Sequence, residues 1–164
     1  MDDKDLFPNS PEKYKEDYHR LLLEQYKTYV EMADRIIERR NKTNTFFLSA
    51  NSFLLSALGI LSEFDFLPNL GIWWLYIASS GGVVFAITWL FIVRSYRQLS
   101  SAKYHIINDL EKELPSSPYT KEWKVLESGK NWRKYTRLTK VETFVPATFV
   151  GLYVALSLGA SFWG

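Results

Sequence analysis

"LGIWWLYIASSGGVVFAITWLFIV", residues 70–93, is a run of 24 mostly large apolar side chains without a charge. As an α-helix it would be about 36 Å long, which crosses a hydrocarbon layer with some tilt. Two more charge-free runs lie on either side of it in the chain. Residues 144–163, "FVPATFVGLYVALSLGASFW", supply 20 positions, and residues 43–62, "TNTFFLSANSFLLSALGILS", contain an apolar core of 16 from Phe46 to Leu61. A soluble domain of 164 residues cannot cover helices of this kind on every face. The sequence therefore predicts three membrane spans.

Charge gives their direction. Residues 1–45 hold nine Lys and Arg, with Arg35, Arg39, Arg40 and Lys42 crowded before the first span, and residues 94–143 hold eleven against six acidic groups. The connection at residues 62–71 has none and carries Glu63 and Asp65. The positive-inside rule places the N-terminus and the central segment in the cytosol and the short hairpin and C-terminus outside. Trp73, Trp74, Trp89 and Trp163 stand near the ends of the runs, as interfacial anchors do. The N-terminus "MDDKDLFPNSPEKYKED" has no basic stretch leading into an apolar one, so no cleaved signal peptide is expected.

The fold class expected is all-α: three transmembrane helices, a long N-terminal cytosolic helix and a helical cytosolic insertion between spans two and three. The divisions are an amphipathic helix at 1–43, spans at 44–62, 71–93 and 143–163, an external hairpin at 63–70 and a cytosolic segment at 94–142. Ser10 and Pro11 suit a helix start. Tyr18, Leu22, Tyr26, Tyr29, Ala33 and Ile36 then recur at spacings of three and four, with Glu16 and Arg20, and Glu31 and Arg35, as same-face pairs. No glycine or proline parts this helix from the first span.

The exit from the second span repeats the design in "RSYRQLSSAKYHIINDLEKELP", residues 94–115. Tyr96, Leu99, Lys103, Ile106, Ile107, Leu110 and Leu114 form its stripe and Pro115 ends it. Ser117 and Pro118 are placed to begin another helix, Tyr119 to Glu127, with Trp123 and Leu126 on one face. These helices are expected to pack on one another, on the N-terminal helix or on neighbouring copies, with a place in the headgroup plane as the alternative. Pro146 suits either a kink or a first turn.

Inside the membrane, Ala147, Gly151, Ala155 and Gly159 recur every four residues, as do Ala78, Gly82 and Ala86. Small residues on one face let helix backbones approach closely in lipid, so these two stripes are candidate packing surfaces and a homo-oligomer is expected. Ser49, Asn51, Ser52 and Ser56 are candidate lumen-lining groups, with return bonds to the helix backbone as the alternative.

The chain has no cysteine, which excludes disulfides, thiolate catalysis and cysteine-built zinc sites. His19 and His105 lack metal-ligand spacing, "SSGG" and "SGKN" lack the elements of a phosphate loop, and no nucleophile, base and acid constellation stands out. No enzyme, catalytic residue, metal or cofactor is expected. The net charge of +2 sits beside the spans, where lipid headgroups account for it, so lipids rather than nucleic acid are the expected partners.

The runs "RSYRQLSSAKYHIINDLEKELPSSPYTKEW" and "YTRLTKVETFVPATF" resemble the RipA family of small octameric membrane proteins. The likeness rests on Tyr96, Arg97, Leu99, Ser101, Ala102, Lys103, Glu111, Leu114, Pro115, Trp123, Leu138, Thr139, Val141, Glu142 and Pro146, over roughly residues 90–150. It implies a homo-octamer in the bacterial inner membrane with a cytosolic face. One member is linked to adaptation inside host cells, but no shared biochemical activity is implied. A weaker likeness, to small two-span effectors of bacterial defence systems, departs at the third span and the long central loop. The leading reading is a scaffold that presents cytosolic helices to itself or to a cytosolic protein; the alternative is a pore or membrane-disrupting effector. An Arg97 to Glu142 link between spans, within or between copies, is a further expectation.

Overall fold

The computed structural model describes residues 6–9, 11–62, 71–129 and 138–163. Helices α1 (Pro11–Tyr14), α2 (Tyr18–Ser62), α3 (Trp73–Lys112), α4 (Pro118–Val125) and α5 (Leu138–Trp163) follow in order, with 3-10 turns at Lys15–Asp17 and Glu127–Gly129. No strand occurs among the described residues. Helices α2, α3 and α5 are each long and apolar enough to cross a membrane. The expected external hairpin at 63–70, the start at Ser10 and the "SGKN" break beyond Gly129 lie outside the described residues.

Helix α2 runs 45 residues unbroken, through the boundary expected at 43, because nothing between Glu12 and Leu58 disfavours helix as glycine or proline would. Helix α3 continues past the charged exit at Arg94 for the same reason. It closes with tightened turns, the amides of Glu113 and Leu114 donating to the carbonyls of Leu110 and Glu111 at 3.2 Å, just ahead of Pro115. Pro146 lies in the interior of α5 rather than in its first turn. Lacking an amide hydrogen, it leaves the carbonyl one turn earlier without its helical partner.

The chain forms two compact units, 1–38 with 98–136 and 39–97 with 137–164. In the first, Leu22, Ala33 and Ile36 of α2 and Ile107 and Leu110 of α3 are buried, while Tyr18, Tyr26 and Tyr29 are half-buried on the same stripe. Leu99 departs from the expected stripe: it is exposed, while Ile107 is fully buried. Arg35 bonds Glu31 at 2.6 Å as the spacing predicts, but Arg20 takes Asp17, three residues before it, at 2.8 Å in place of Glu16. Both pairs are exposed, and each contributes only a few tenths of a kcal/mol.

The second unit is aromatic at its centre. Phe47 stacks on Trp89 at 5.8 Å and lies 4.8 Å from Phe85, and Phe149 lies 6.2 Å from Trp89. Trp89 is therefore a core residue, 2% exposed. Trp73 is exposed and Trp74 packs against the core. Phe53, Ile77, Val84, Phe91 and Phe144 face outward, as side chains do when lipid rather than water is the solvent.

Candidate functional site

The described residues include a fully buried carboxylate, a half-buried one near the start of α5 and two stripes of small residues. The first carboxylate belongs to Glu111 and is fully buried. Its Oε1 accepts from the Tyr26 hydroxyl at 3.1 Å and the Tyr119 amide at 2.9 Å; its Oε2 accepts from the Thr120 amide at 3.0 Å and the Thr120 hydroxyl at 2.9 Å. Tyr119 and Thr120 are the second and third residues of α4, so a side chain from α3 caps that helix in place of Ser117. Ser117 occupies the cap position but turns its hydroxyl to the Glu111 carbonyl at 3.1 Å. Burial raises the pKa of Tyr26 to about 12, assisted by the hydrogen bond to Glu111. Burial also raises that of Tyr119, with Asp34 adding to it.

Nearby, Lys103 lies over the Tyr29 ring at 5.0 Å, and Tyr104 meets Tyr119 at a tilt of 53°, with ring centres 5.9 Å apart. Of the residues that carry the family resemblance, Glu111 is buried in the first unit, Lys103 and Leu114 are half-buried, and Pro115 and Trp123 are exposed. In the sequence Glu111 stands out only as part of the family resemblance. Nothing in spacing alone tells that it reaches forward to cap α4.

The second carboxylate is Glu142. Arg40 Nε lies 3.3 Å from it, and Asn44 Nδ2 donates to the same oxygen at 3.1 Å. The Asn44 carbonyl oxygen accepts from Trp89 Nε1 at 3.0 Å, which fixes the amide's orientation. Glu142 Oε2 and Arg40 Nε have no hydrogen-bond partner. Arg40 and Asn44 are one turn apart on α2, so both reach the carboxylate, whereas Arg97 is exposed. The Arg97 to Glu142 link expected from sequence is therefore not made within the chain. Tyr96 lies 3.5 Å from the Thr43 hydroxyl.

The two small stripes have different fates. Ala78 is half-buried, and Gly82 and Ala86 are buried. A Cβ on Gly82 would sit 2.4 Å from Cε1 of Tyr153, so the tyrosine ring occupies the space that glycine leaves. The Tyr153 hydroxyl lies 3.2 Å from the carbonyl and 3.3 Å from Oδ1 of Asn51, whose amide donates to Phe47 at 2.8 Å. On α5, Ala147, Gly151, Ala155 and Gly159 are all exposed, and a Cβ on Gly151 or Gly159 would meet nothing within 4 Å.

The candidate lumen set is divided. Ser49, Ser52 and Ser56 are exposed along one face of α2, while Asn51 points into the core and is fully buried. At about 100° per residue, Asn51 cannot share a face with Ser49 and Ser52. Among the described residues no group of three His, Cys, Asp or Glu side chains is placed to hold a metal. His105 lies 3.7 Å from Asp109, one turn along its own helix.

A family model described as the octameric membrane protein family (8xMP) matches residues 23–162. No curated protein and no solved structure matches the chain.

Proposed function

The chain belongs to the octameric membrane protein family, and from that premise we propose that it is a homo-octameric scaffold of the bacterial inner membrane whose first unit presents helices in the cytosol. Within that family we place it with RipA-like members, on the Tyr96–Pro115 and Leu138–Pro146 runs. The observation that carries the assembly reading is the open face of α5. Gly151 and Gly159 leave space that no side chain among the described residues fills, although the same residue pattern on α3 is filled by Tyr153. In lipid, where association depends on close packing, such a face suits another copy of α5 or of a neighbouring helix.

Native mass measurement in mild detergent tests this. Wild type is expected at eight copies, and Gly151→Leu with Gly159→Leu at fewer; an unchanged octamer in the double variant removes α5 from the contact. Orientation is tested separately. A cysteine replacing Asp65 is expected to react with a reagent that cannot enter cells, and one replacing Lys121 is not. The reverse pattern would overturn the topology.

The pore reading draws on Ser49, Ser52 and Ser56, which share one exposed face. It requires that face to be wet in the assembly. Absence of ion flux from reconstituted octamers, compared with empty liposomes, counts against it and leaves the scaffold standing.

A further inference from the structure

In the second unit, the described residues leave the outer side of α3 open. Gly82, Ala86, Trp89 and Val93 are buried on its inner side. Val84, Ile87, Phe91 and Arg94 recur at helical spacing on the other side, and all four are exposed. Val84 and Phe91 are 65% and 66% exposed. At roughly 1.5 Å per residue, Val84 lies about 15 Å from Arg94 along the axis, the depth of one leaflet in a hydrocarbon core about 30 Å thick. An apolar stripe one leaflet deep thus ends at a guanidinium, and Arg97 follows one turn later, exposed as well.

The charges of these two arginines are unanswered within the chain. Arg20, Arg35 and Arg40 each meet a carboxylate, of Asp17, Glu31 and Glu142 respectively. Among the described residues neither Arg94 nor Arg97 meets one. Their own helix carries no acid before Asp109, about 18 Å beyond Arg97, and Asp109 is bonded to Lys112 at 2.8 Å. Among the described side chains of the second unit the one carboxylate is Glu142, and Arg40 and Asn44 engage it. An anion from outside the chain is therefore what fits this end of the stripe.

We propose that this face of α3 retains a phospholipid of net negative headgroup, with its phosphate on Arg94 and Arg97 and one acyl chain along Phe91, Ile87 and Val84. A guanidinium pairs with phosphate oxygens through two parallel N–H bonds, so the headgroup is held in place as well as attracted. A zwitterionic headgroup brings a cation of its own beside the second arginine and suits the pair less well. A free phosphate engages the arginines alone, whereas a lipid engages the arginines and the stripe together. In the topology proposed above Arg94 lies at the cytosolic face, where membranes present anionic headgroups to basic side chains. The inference rests on the reading of α3 as a span and not on the number of copies.

The test uses the full chain in a mild uncharged detergent, weighed intact after addition of phosphatidylglycerol or phosphatidylcholine at equal concentration. Wild type is expected to retain phosphatidylglycerol over phosphatidylcholine by about tenfold, the scale that two basic side chains near anionic headgroups supply. Arg94→Gln with Arg97→Gln is expected to abolish the preference at unchanged assembly mass, while Arg39→Gln, which removes an exposed charge from α2, keeps it. Phe91→Ala is expected to lower retention about threefold, through lost apolar contact with the chain. Equal retention of the two lipids by wild type, an outcome that involves no variant, overturns the proposal. So does a preference that survives the double variant or is lost equally in Arg39→Gln. Displacement of the lipid by inorganic phosphate at equal concentration means that the arginines take a free anion, and a lower assembly mass in the double variant means that they join copies; either overturns it. A wild type recovered without detergent or lipid removes the span on which the inference rests. A monomeric wild type that still prefers phosphatidylglycerol supports the lipid site and removes only the octamer.

Discussion

The two units of the chain fix their helices by opposite means. In the unit that contains the apolar runs, α3 and α5 meet where Gly82 has no side chain and the Tyr153 ring fills the gap. In the other unit, α4 has no fully buried residue, and one carboxylate holds it by accepting from two of its amides and one of its hydroxyls, with Tyr119 half-buried beside Tyr104. On the topology proposed above, the difference follows from the solvent. Lipid tails are as apolar as leucine, so helices there gain by shape and close approach. A short helix in water lacks that setting, and a satisfied buried charge orients it instead.

The sharpest way to break this contrast is to remove the charge. Glu111→Ala takes the acceptor from two backbone amides and two hydroxyls at once, and each donor left unmet in a buried place costs about 1–3 kcal/mol. The expected loss is about 3 kcal/mol or more, confined to the first unit. Amide exchange at Tyr119 and Thr120 should rise steeply while exchange around Gly82 stays as in wild type. A loss spread evenly over both units would show that the units do not differ in this way. Glu111→Gln retains one carbonyl oxygen and should fall between the two.

Gly82→Ala probes the other side. The new methyl would meet the Tyr153 ring at 2.4 Å, well inside contact distance, so the ring or the helix must move. Overpacking of this kind costs about 1–3 kcal/mol. Gly81→Ala, where nothing lies within 4 Å, is the control and should leave the thermal midpoint in detergent unchanged or slightly raised. Equal effects at the two neighbours would mean that helix propensity, not close approach, governs the site.

Third in size is an effect on assembly rather than on the fold. Leucine at Gly151 or Gly159 enters open space, so the protomer's stability should change by less than about 0.5 kcal/mol. The population of octamers should fall. Loss of the protomer fold instead would place this face inside the chain.

These cases show how much the sequence could tell. The three runs, the unbroken passage of α2 and the stop at Pro115 depend on composition over many residues, and such signals are local. Which small stripe is used within the chain is not local: Ala78, Gly82 and Ala86 read like Ala147, Gly151 and Ala155 until Tyr153 is seen across from one of them. Asn51 was grouped with Ser49, Ser52 and Ser56 by polarity, yet its angular position sends it to Tyr153. Glu142 was legible as a carboxylate at a span entry. Its partner Arg40 stands 102 positions earlier, beyond any pattern that a window can detect. Glu111 was singled out as part of a resemblance, and its capping of α4 follows only from the turn between them.

The finest test uses the hydroxyl that Tyr26 gives to Glu111. Its pKa is raised from 10.0 to about 12, first by burial and then by that hydrogen bond. The folded state thus holds this proton more tightly than the unfolded chain does, and the linked stability is fully present below pH 10. It is lost as pH rises from 10 toward 12, since the unfolded chain gives up its proton first. Titration of the wild type followed by tyrosinate absorbance and by exchange of the Tyr119 amide should show the capping contact loosening in that window. Other tyrosines and lysines ionise there too, so the comparison is with Tyr26→Phe. That variant loses the hydrogen bond at every pH, at about 1 kcal/mol, and its exchange should climb less steeply with pH than that of the wild type. Parallel curves would mean that Tyr26 is not coupled to the Glu111 anchor, and the contrast between the units would then rest on the two amides and the Thr120 hydroxyl alone.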